Sequence, residues 1–139
     1  MLPDAAQKAE REVPAPMAYV LAALGGALGA LARWGLAEVL PSPGGWPWAT
    51  LLVNLTGCFL LGALFAVVAA HSPEPPWARP FLGVGVLGGY TTYSSFAVEV
   101  VNLVDDGAPV LAAGYVLVSV VGGVAAVALG ALTAGRVLR

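Results

Sequence analysis

Charged residues are scarce in this chain: of its 139 residues only 10% are charged, whereas 59% are apolar. Soluble globular domains contain about 25% charged residues. A chain this poor in charge and this rich in apolar side chains cannot be an ordinary soluble domain. The composition therefore indicates an integral membrane protein.

Cysteine and histidine are each represented by one residue, Cys58 and His71. A single cysteine excludes a disulfide framework and a metal cluster of the Cys-x-x-Cys kind. His71 has no carboxylate or cysteine at ligand spacing, which argues against a metal ligand or a general base. Because a Ser-His-Asp set and paired carboxylates within an apolar run are also missing, we predict that the chain is not an enzyme.

Residues 83–88 read Gly-Val-Gly-Val-Leu-Gly and match the letters of a dinucleotide-binding fingerprint. That fingerprint requires a preceding strand, a following soluble helix and an acidic residue about 20 positions further on. An apolar membrane run offers none of this context. The glycines are therefore predicted to serve helix packing, and we expect neither a nucleotide site nor a nucleic-acid partner.

Long apolar runs are what the chain has in abundance. Four of them, over residues 17–40, 48–70, 81–104 and 110–134, are 23 to 25 residues long. About 20 helical residues cross the hydrocarbon core of a bilayer, so each run is long enough to cross once. The sequence predicts an all-α membrane protein with four transmembrane helices, preceded by a disordered or surface tail over residues 1–16.

The third run contains a segment that disfavours a continuous helix. Residues 88–96 read GGYTTYSSF, in which two glycines are followed by β-branched, hydroxylated and aromatic residues of weaker helix propensity. We predict that the third helix is broken near the membrane midplane. Backbone carbonyls freed there must be satisfied within the membrane, and a hard cation such as Na⁺ would satisfy them.

A polar stripe follows this segment, because Thr92, Ser95, Glu99 and Asn102 fall on one face of a helix. Two aromatic rings, Tyr93 and Phe96, lie beside the stripe at a spacing of three. Their ring edges carry the positive end of the quadrupole and can contact an anion, although aromatic pairs at this spacing also serve packing.

Other polar residues within the runs each allow two interpretations. Arg33 either snorkels to the lipid interface or forms a cationic lip that draws anions into an aqueous vestibule. Asn54 either holds helices together or donates to an anion in a pore. Tyr115 and Ser119, four residues apart on one helix face, either pack or line a polar path.

Three sequence segments together resemble one family. The segments GGALGALARW, VNLTGCFLLG and GGYTTYSSF are similar to those of the Fluc (CrcB) fluoride channels, and the resemblance extends over all four runs. The central pattern of that family reads roughly GGxTTFSTF. This chain has Tyr93 in place of the first phenylalanine and Ser95 in place of a threonine.

The resemblance implies an antiparallel dimer with two pores and one central, structural sodium ion that is not transported. The backbone carbonyls of Gly88 and Thr91 in each subunit would hold the sodium, and Arg33 would lie at the vestibule. The implied function is passive fluoride export across the plasma membrane, which reduces fluoride toxicity. The implied fluoride path consists of Asn54, Tyr93, Ser94, Ser95, Phe96, Glu99, Tyr115 and Ser119.

Positive charge is distributed unevenly between the two sides of the predicted bundle. With four spans, the side that holds the N-terminus carries Lys8, Arg11, Arg79, Arg136 and Arg139. The opposite loops carry no basic residue, and Arg33 alone lies near them. The positive-inside rule then predicts a cytoplasmic N-terminus in a fixed orientation. The antiparallel partner is either a second copy or, as this bias leads us to hypothesise, an oppositely oriented paralogue.

Two alternative functions remain at this point. A poorly conducting assembly partner of a heterodimeric fluoride channel is suggested by Tyr93, whose hydroxyl adds bulk and a donor to the predicted path. A proton-coupled drug exporter would need a carboxylate within the first span, where the only candidate is Glu38 near its end. That position disfavours the exporter.

Overall fold

The structure, a computed structural model, describes residues 13–40, 45–71 and 74–138, and all regular structure in these ranges is helical. The helices are α1 (Ala15–Val39), α2 (Trp48–Ala70), α3 (Ala78–Leu87), α4 (Gly88–Tyr90), α5 (Tyr93–Asp105) and α6 (Pro109–Val137). The predicted all-α class is therefore confirmed. Residues 1–12 of the expected N-terminal tail lie outside the described residues.

Three helices, α1, α2 and α6, are each long and apolar enough to cross a membrane. This fits a multi-pass membrane protein. The run 81–104, predicted as one span, is covered instead by α3, α4 and α5 in succession. None of these three segments alone reaches the length of a span.

The segment α3 is wound with the wider i→i+5 hydrogen bonding of a π-helix, and α4 continues from it directly. π-Helices are rare and are mostly a single turn long, because the wider turn packs less favourably around its axis. Together α3 and α4 present glycines to α1, the helix on which they pack.

Contact between α1 and the α3–α4 segment depends on two glycine pairs. A Cβ atom on Gly25 or Gly85 would collide with the backbone of the other helix, and the same holds for Gly29 and Gly89. Gly25 and Gly29 are four residues apart in α1, and Gly85 and Gly89 are four apart in the α3–α4 segment, so each pair lies on one face. The predicted packing role of the glycines is thereby confirmed for Gly25 and Gly29 of the first run and, within residues 83–88, for Gly85.

A second pair of helices, α2 and α6, packs in the same way. A Cβ on Gly62 would meet the carbonyl of Val127, and one on Gly130 would meet the carbonyl of Phe59. Small residues let helix backbones approach closely where no hydrophobic effect drives them together. The fold thus consists of two close helix pairs, with α5 packed on α6.

Candidate functional site

Two extended residues, Thr91 and Thr92, separate α4 from α5, and we refer to them as the junction. Thr91 has φ −77° and ψ 158°, and Thr92 has φ −145° and ψ 124°. The sequence predicted a break within residues 88–96, and Gly88 and Gly89 at its start are helical residues of α4. Gly89 packs closely on α1, where a Cβ would collide with the carbonyl of Gly26, and the chain leaves the helix only at Thr91.

A side chain of α2 holds the junction by both of its backbone groups. The Oδ1 atom of Asn54 accepts from the N–H of Thr92 at 2.8 Å, and the Nδ2 atom donates to the carbonyl of Thr92 at 2.9 Å. An extended residue inside an apolar bundle needs such partners, because its N–H and C=O cannot bond within a helix.

The side chain of Thr92 caps α5. Its Oγ1 atom accepts from the N–H of Ser95 at 3.1 Å and donates to the hydroxyl of Ser95 at 3.1 Å. A threonine in the N-cap position satisfies one of the helix's free N–H groups. The N–H groups of Tyr93 and Ser94, in the first turn of α5, have no partner within that helix.

Neighbouring residues of α2 also contact the segment that precedes the junction. The Thr56 hydroxyl lies 2.9 Å from the hydroxyl of Tyr90. Gly57 is buried beside the methyl group of Thr91, where a Cβ would collide with that methyl group. The Thr91 hydroxyl in turn donates to the Leu87 carbonyl at 2.8 Å. One turn of α2 therefore orients both residues of the junction.

Arg33 lies on the α1 side of the junction. Its Nε atom donates to the carbonyl of Gly89 at 3.2 Å, and the residue is half-buried. Neither sequence interpretation of Arg33, snorkelling or a vestibule lip, included this bond. A guanidinium group is well suited to the carbonyl end of a helix, where the helix dipole is negative.

Glu99 lies two turns beyond the junction and accepts a hydrogen bond on each carboxylate oxygen. The Thr50 hydroxyl donates to Oε1 at 2.6 Å, and the Tyr115 hydroxyl donates to Oε2 at 2.7 Å. Tyr115 has no exposed surface, so its hydroxyl depends on this carboxylate for a partner. The three side chains link α2, α5 and α6.

Aromatic rings form a row beside the polar residues. The ring of Phe96 lies 6.0 Å from that of Tyr93 and 5.2 Å from that of Tyr115, and Trp46 meets Tyr115 edge-on at 5.7 Å. Tyr93 is 80% exposed and Phe96 is half-buried. Both rings of the predicted pair are thus adjacent, with Tyr93 projecting away from the chain.

An open groove of about 410 Å³ runs along the junction. It brings together six of the predicted site residues: Asn54, Gly88, Thr91, Tyr93, Phe96 and Ser119. The hydroxyl oxygen of Ser119 is buried and has no hydrogen-bond partner among the described residues. Ser94, Ser95, Glu99, Tyr115 and Arg33 do not line the groove, although Ser95 adjoins it through Thr92 and Tyr115 through Phe96.

The site also contains residues that our set of predicted site residues left out, namely Thr50, Thr56, Gly57 and Thr92. Thr50 precedes Asn54 by four residues and Gly57 follows it by three, so the helical face defined by Asn54 was the available signal. Among the described residues no group of three or more His, Cys, Asp or Glu side chains is placed to hold a metal ion.

A family model described as "CrcB-like protein, Camphor Resistance (CrcB)" matches residues 20–131. The chain belongs to the CrcB-like family. The match includes α2 to α5, the junction and most of the two remaining helices.

Three curated relatives of this CrcB-like chain align over most of both sequences. The "Fluoride-specific ion channel FluC" of Bordetella petrii is 45% identical over 119 residues, which cover 86% of this chain and 92% of the relative. "Fluoride-specific ion channel FluC 2" of Nocardia farcinica is 43% identical over 122 residues, covering 86% and 87%. The FluC of Bordetella pertussis is 39% identical over 125 residues, covering 90% and 97%.

These comparisons confirm the family that the sequence segments suggested. They also confirm the prediction that the CrcB-like chain is not an enzyme, because the relatives carry the name of an ion channel. Together with three helices of membrane-spanning length, the family membership fits a multi-pass membrane protein.

Proposed function

We propose that this CrcB-like chain is a subunit of a fluoride-selective channel that lets fluoride leave the cytoplasm passively across the plasma membrane and so reduces its toxicity. The observation that carries the proposal is the identity of 39–45%, over most of both chains, to relatives named as fluoride-specific ion channels. Their shared name favours a conducting channel over a poorly conducting assembly partner. The chemistry of the junction supports the same function.

The junction is proposed to be a break in the third membrane helix, with an anion side formed by α5. The N-terminus of a helix carries partial positive charge and free N–H groups. Here the N–H groups of Tyr93 and Ser94 begin α5 beside the groove that contains Asn54 and Ser119. Fluoride is small and strongly hydrated, so it must exchange its water for closely spaced donors and ring edges.

The carbonyl side of the same junction is proposed to hold a sodium ion. Unwound backbone carbonyls and the negative C-terminal ends of half-helices suit a sodium ion within a membrane protein. The residues fit this ion, because no helical N–H reaches the carbonyls of Gly88 and Thr91: the groups that would do so, on Thr92 and Ser95, bond to side chains. A sodium ion bound there would compensate these carbonyl dipoles.

An antiparallel dimer is proposed to close the anion path. The groove is open, and Tyr93 projects from the chain with 80% of its surface exposed. A second subunit, either another copy or a paralogue, would cover the groove and Tyr93 and so turn an open surface into an enclosed path. In this arrangement Glu99 and Tyr115 would extend the path beyond Phe96, and Arg33 would face the vestibule.

Fluoride accumulation in cells tests this proposal. The chain is expressed in a bacterial strain that lacks its own fluoride exporter, and cytoplasmic fluoride is measured after the medium is acidified in the presence of fluoride. We expect the chain to lower cytoplasmic fluoride and to restore growth. If neither the chain alone nor the chain with its genomic paralogue changes fluoride accumulation, the proposed function is wrong.

A further inference from the structure

Two backbone N–H groups at the junction are diverted from the helical hydrogen-bond ladder. In a continuous α-helix each N–H bonds to the carbonyl four residues earlier. The ladder still holds at Thr91, whose N–H bonds to the Leu87 carbonyl at 2.9 Å. At the next residue it fails, because the Thr92 N–H bonds to Oδ1 of Asn54 at 2.8 Å and not to the carbonyl of Gly88.

The same diversion occurs three residues later. The N–H of Ser95 would reach the carbonyl of Thr91 in a continuous helix, but it bonds to Oγ1 of Thr92 at 3.1 Å. Two side-chain acceptors, one on Asn54 and one on Thr92, therefore release two backbone carbonyls. These are the carbonyls of Gly88 and Thr91, the pair proposed above to hold the cation.

We propose that Asn54 is a positioning residue for the cation site: by accepting the N–H of Thr92, it keeps the carbonyl of Gly88 available to the ion. This inference rests on the proposed sodium site. It assigns Asn54 a role separate from donation to fluoride, since the two roles use opposite ends of its amide.

The hydrogen bonds of the Asn54 amide assign different roles to its oxygen and its nitrogen. Nδ2 of Asn54 donates to the carbonyl of Thr92 at 2.9 Å while Oδ1 accepts from the N–H of the same residue. An amide nitrogen carries two hydrogens, so the second remains for the groove that Asn54 lines. One side chain is thus shared between the carbonyls on one side of the junction and the anion path on the other.

Arg33 makes one of the two carbonyls between Gly88 and Thr91, that of Gly89, less available to an ion. The Gly89 carbonyl accepts from Nε of Arg33 at 3.2 Å and so already has a charged donor. Carbonyls with protein donors are less available to an ion. The Gly89 carbonyl is therefore less available to an ion than that of Gly88.

A role of Asn54 in holding helices together, without any role at the cation site, makes a different prediction. Its loss would lower the melting temperature equally in every salt. A positioning role predicts that its loss weakens the response to Na⁺ in particular, because the Thr92 N–H then returns to the carbonyl of Gly88.

Sodium-dependent thermal unfolding of the purified full chain tests the inference. The melting temperature is followed while NaCl replaces choline chloride at constant ionic strength, and the midpoint of the Na⁺ effect is compared between variants. Asn54→Ala removes the acceptor, and we expect the midpoint to rise by about tenfold or more, equivalent to 1.4 kcal/mol or more of binding free energy.

A matched pair of variants separates the two ends of the amide. Asn54→Asp keeps an oxygen that can accept from the N–H of Thr92. We therefore expect its Na⁺ midpoint to stay within about threefold of wild type, well below the tenfold change expected for Asn54→Ala. The control is Thr133→Val in α6, which removes a hydroxyl bonded to the carbonyl of Leu129, away from the junction, and should leave the Na⁺ midpoint unchanged.

Thr92→Val and Thr92→Ser repeat the test at the carbonyl of Thr91. Valine lacks the acceptor for Ser95 and should raise the Na⁺ midpoint, whereas serine keeps it and should not. If Asn54→Ala does not fold, Asn54→Leu, which is similar in size and also lacks the acceptor, takes its place with the same expected rise in the Na⁺ midpoint.

The outcomes distinguish the inference from the proposal on which it rests. If wild type shows no response to Na⁺ beyond that to choline, the proposed sodium site is wrong. If wild type responds and Asn54→Ala responds equally, or if Asn54→Asp loses the response as completely as Asn54→Ala, the positioning role is wrong and the sodium site remains.

Discussion

Asn54 shows how much a single polar residue does inside an apolar bundle. An unpaired polar group away from water costs about 1–3 kcal/mol, so an amide in a membrane span must find partners. Asn54 finds both on Thr92, at 2.8 and 2.9 Å, and still lines the groove. The two interpretations that the sequence allowed for this residue, holding helices together and donating to an anion, are therefore compatible.

Replacing Asn54 with aspartate is predicted to impair fluoride passage. Two negative charges about 4 Å apart repel each other by roughly 4 kcal/mol at an effective dielectric constant of 20. If about a third of that repulsion, roughly 1.4 kcal/mol, acted on the passing ion, fluoride efflux would fall about tenfold. Fluoride efflux from liposomes, measured with a fluoride electrode, checks this. Efflux equal to that of wild type would remove Asn54 from the path.

Tyr93 is the residue at which this chain departs from the phenylalanine of the family pattern. We predict that Tyr93→Phe conducts fluoride at least as fast as wild type, because the ring edge remains and the hydroxyl is removed. Tyr93→Ala removes the edge, and we expect fluoride efflux to fall by about tenfold or more, the effect of 1.4 kcal/mol on a rate. Equal efflux from the alanine and phenylalanine variants would show that the ring takes no part in conduction.

At the scale of elements, glycines determine how close α1 comes to the α3–α4 segment. Gly25 and Gly29 of α1 lie against backbone atoms of that segment, so any larger side chain must push the helices apart. The same approach brings Arg33 within 3.2 Å of the Gly89 carbonyl, one residue from the carbonyl of Gly88. The position of the junction therefore depends on this helix pair.

Gly29→Ala is predicted to destabilise the fold by about 1–3 kcal/mol, the usual cost of overpacking a well-packed interior. Its Cβ would collide with the carbonyl of Val86 and the N–H of Tyr90. Gly35→Ala in the same helix is the matched control, since no atom lies within 4 Å of the new Cβ. Thermal unfolding in detergent should show a lower melting temperature for Gly29→Ala only. Similar melting temperatures for both variants would contradict the packing argument.

The extent of the second helix was predictable from sequence to the residue, because hydrophobic length and flanking residues decide it. The run 48–70 coincides with α2, and 110–134 falls within α6. The position at which the helix of the third run is interrupted was not predictable to the residue. The poor helix propensity of glycine indicated an interruption that begins at Gly88, but Gly88 and Gly89 are helical and the chain turns at Thr91 and Thr92.

Several residues that the sequence predicted for the site lie together in the structure, but the sequence did not predict which partners they contact. Asn54, Phe96 and Ser119 share a groove, as the motifs suggested. The bond from Arg33 to Gly89 and that from Thr50 to Glu99 join residues 56 and 49 positions apart. Periodicity within a helix carries no information about such distances, which depend on how the helices pack.

At the scale of the whole molecule, the groove and the exposed Tyr93 occur on a chain whose surface is largely apolar. A bilayer can cover the outer apolar side chains, but the polar groups that line the groove, on Asn54, Thr92 and Ser119, are better covered by protein. The proposed antiparallel partner would provide that cover. The uneven distribution of basic residues bears on which partner this is.

We predict that the chain inserts with a single orientation, its N- and C-termini in the cytoplasm, because the basic residues lie on the side of the termini. A pair of C-terminal reporters, one active only in the cytoplasm and one active only outside it, measures the orientation. We expect signal from the cytoplasmic reporter alone, which would favour a paralogue as partner. Comparable signals from both reporters would contradict a fixed orientation and favour a dimer of identical chains.

The measurement that tests the central claim most directly is anion efflux from liposomes that contain the purified protein. Liposomes are loaded with potassium fluoride or potassium chloride, valinomycin is added to release potassium, and the anion outside is recorded with an ion-selective electrode. The account predicts rapid loss of fluoride without a proton gradient and retention of chloride. Retention of fluoride by the chain, alone and with its co-expressed paralogue, or equal loss of both anions, would contradict it.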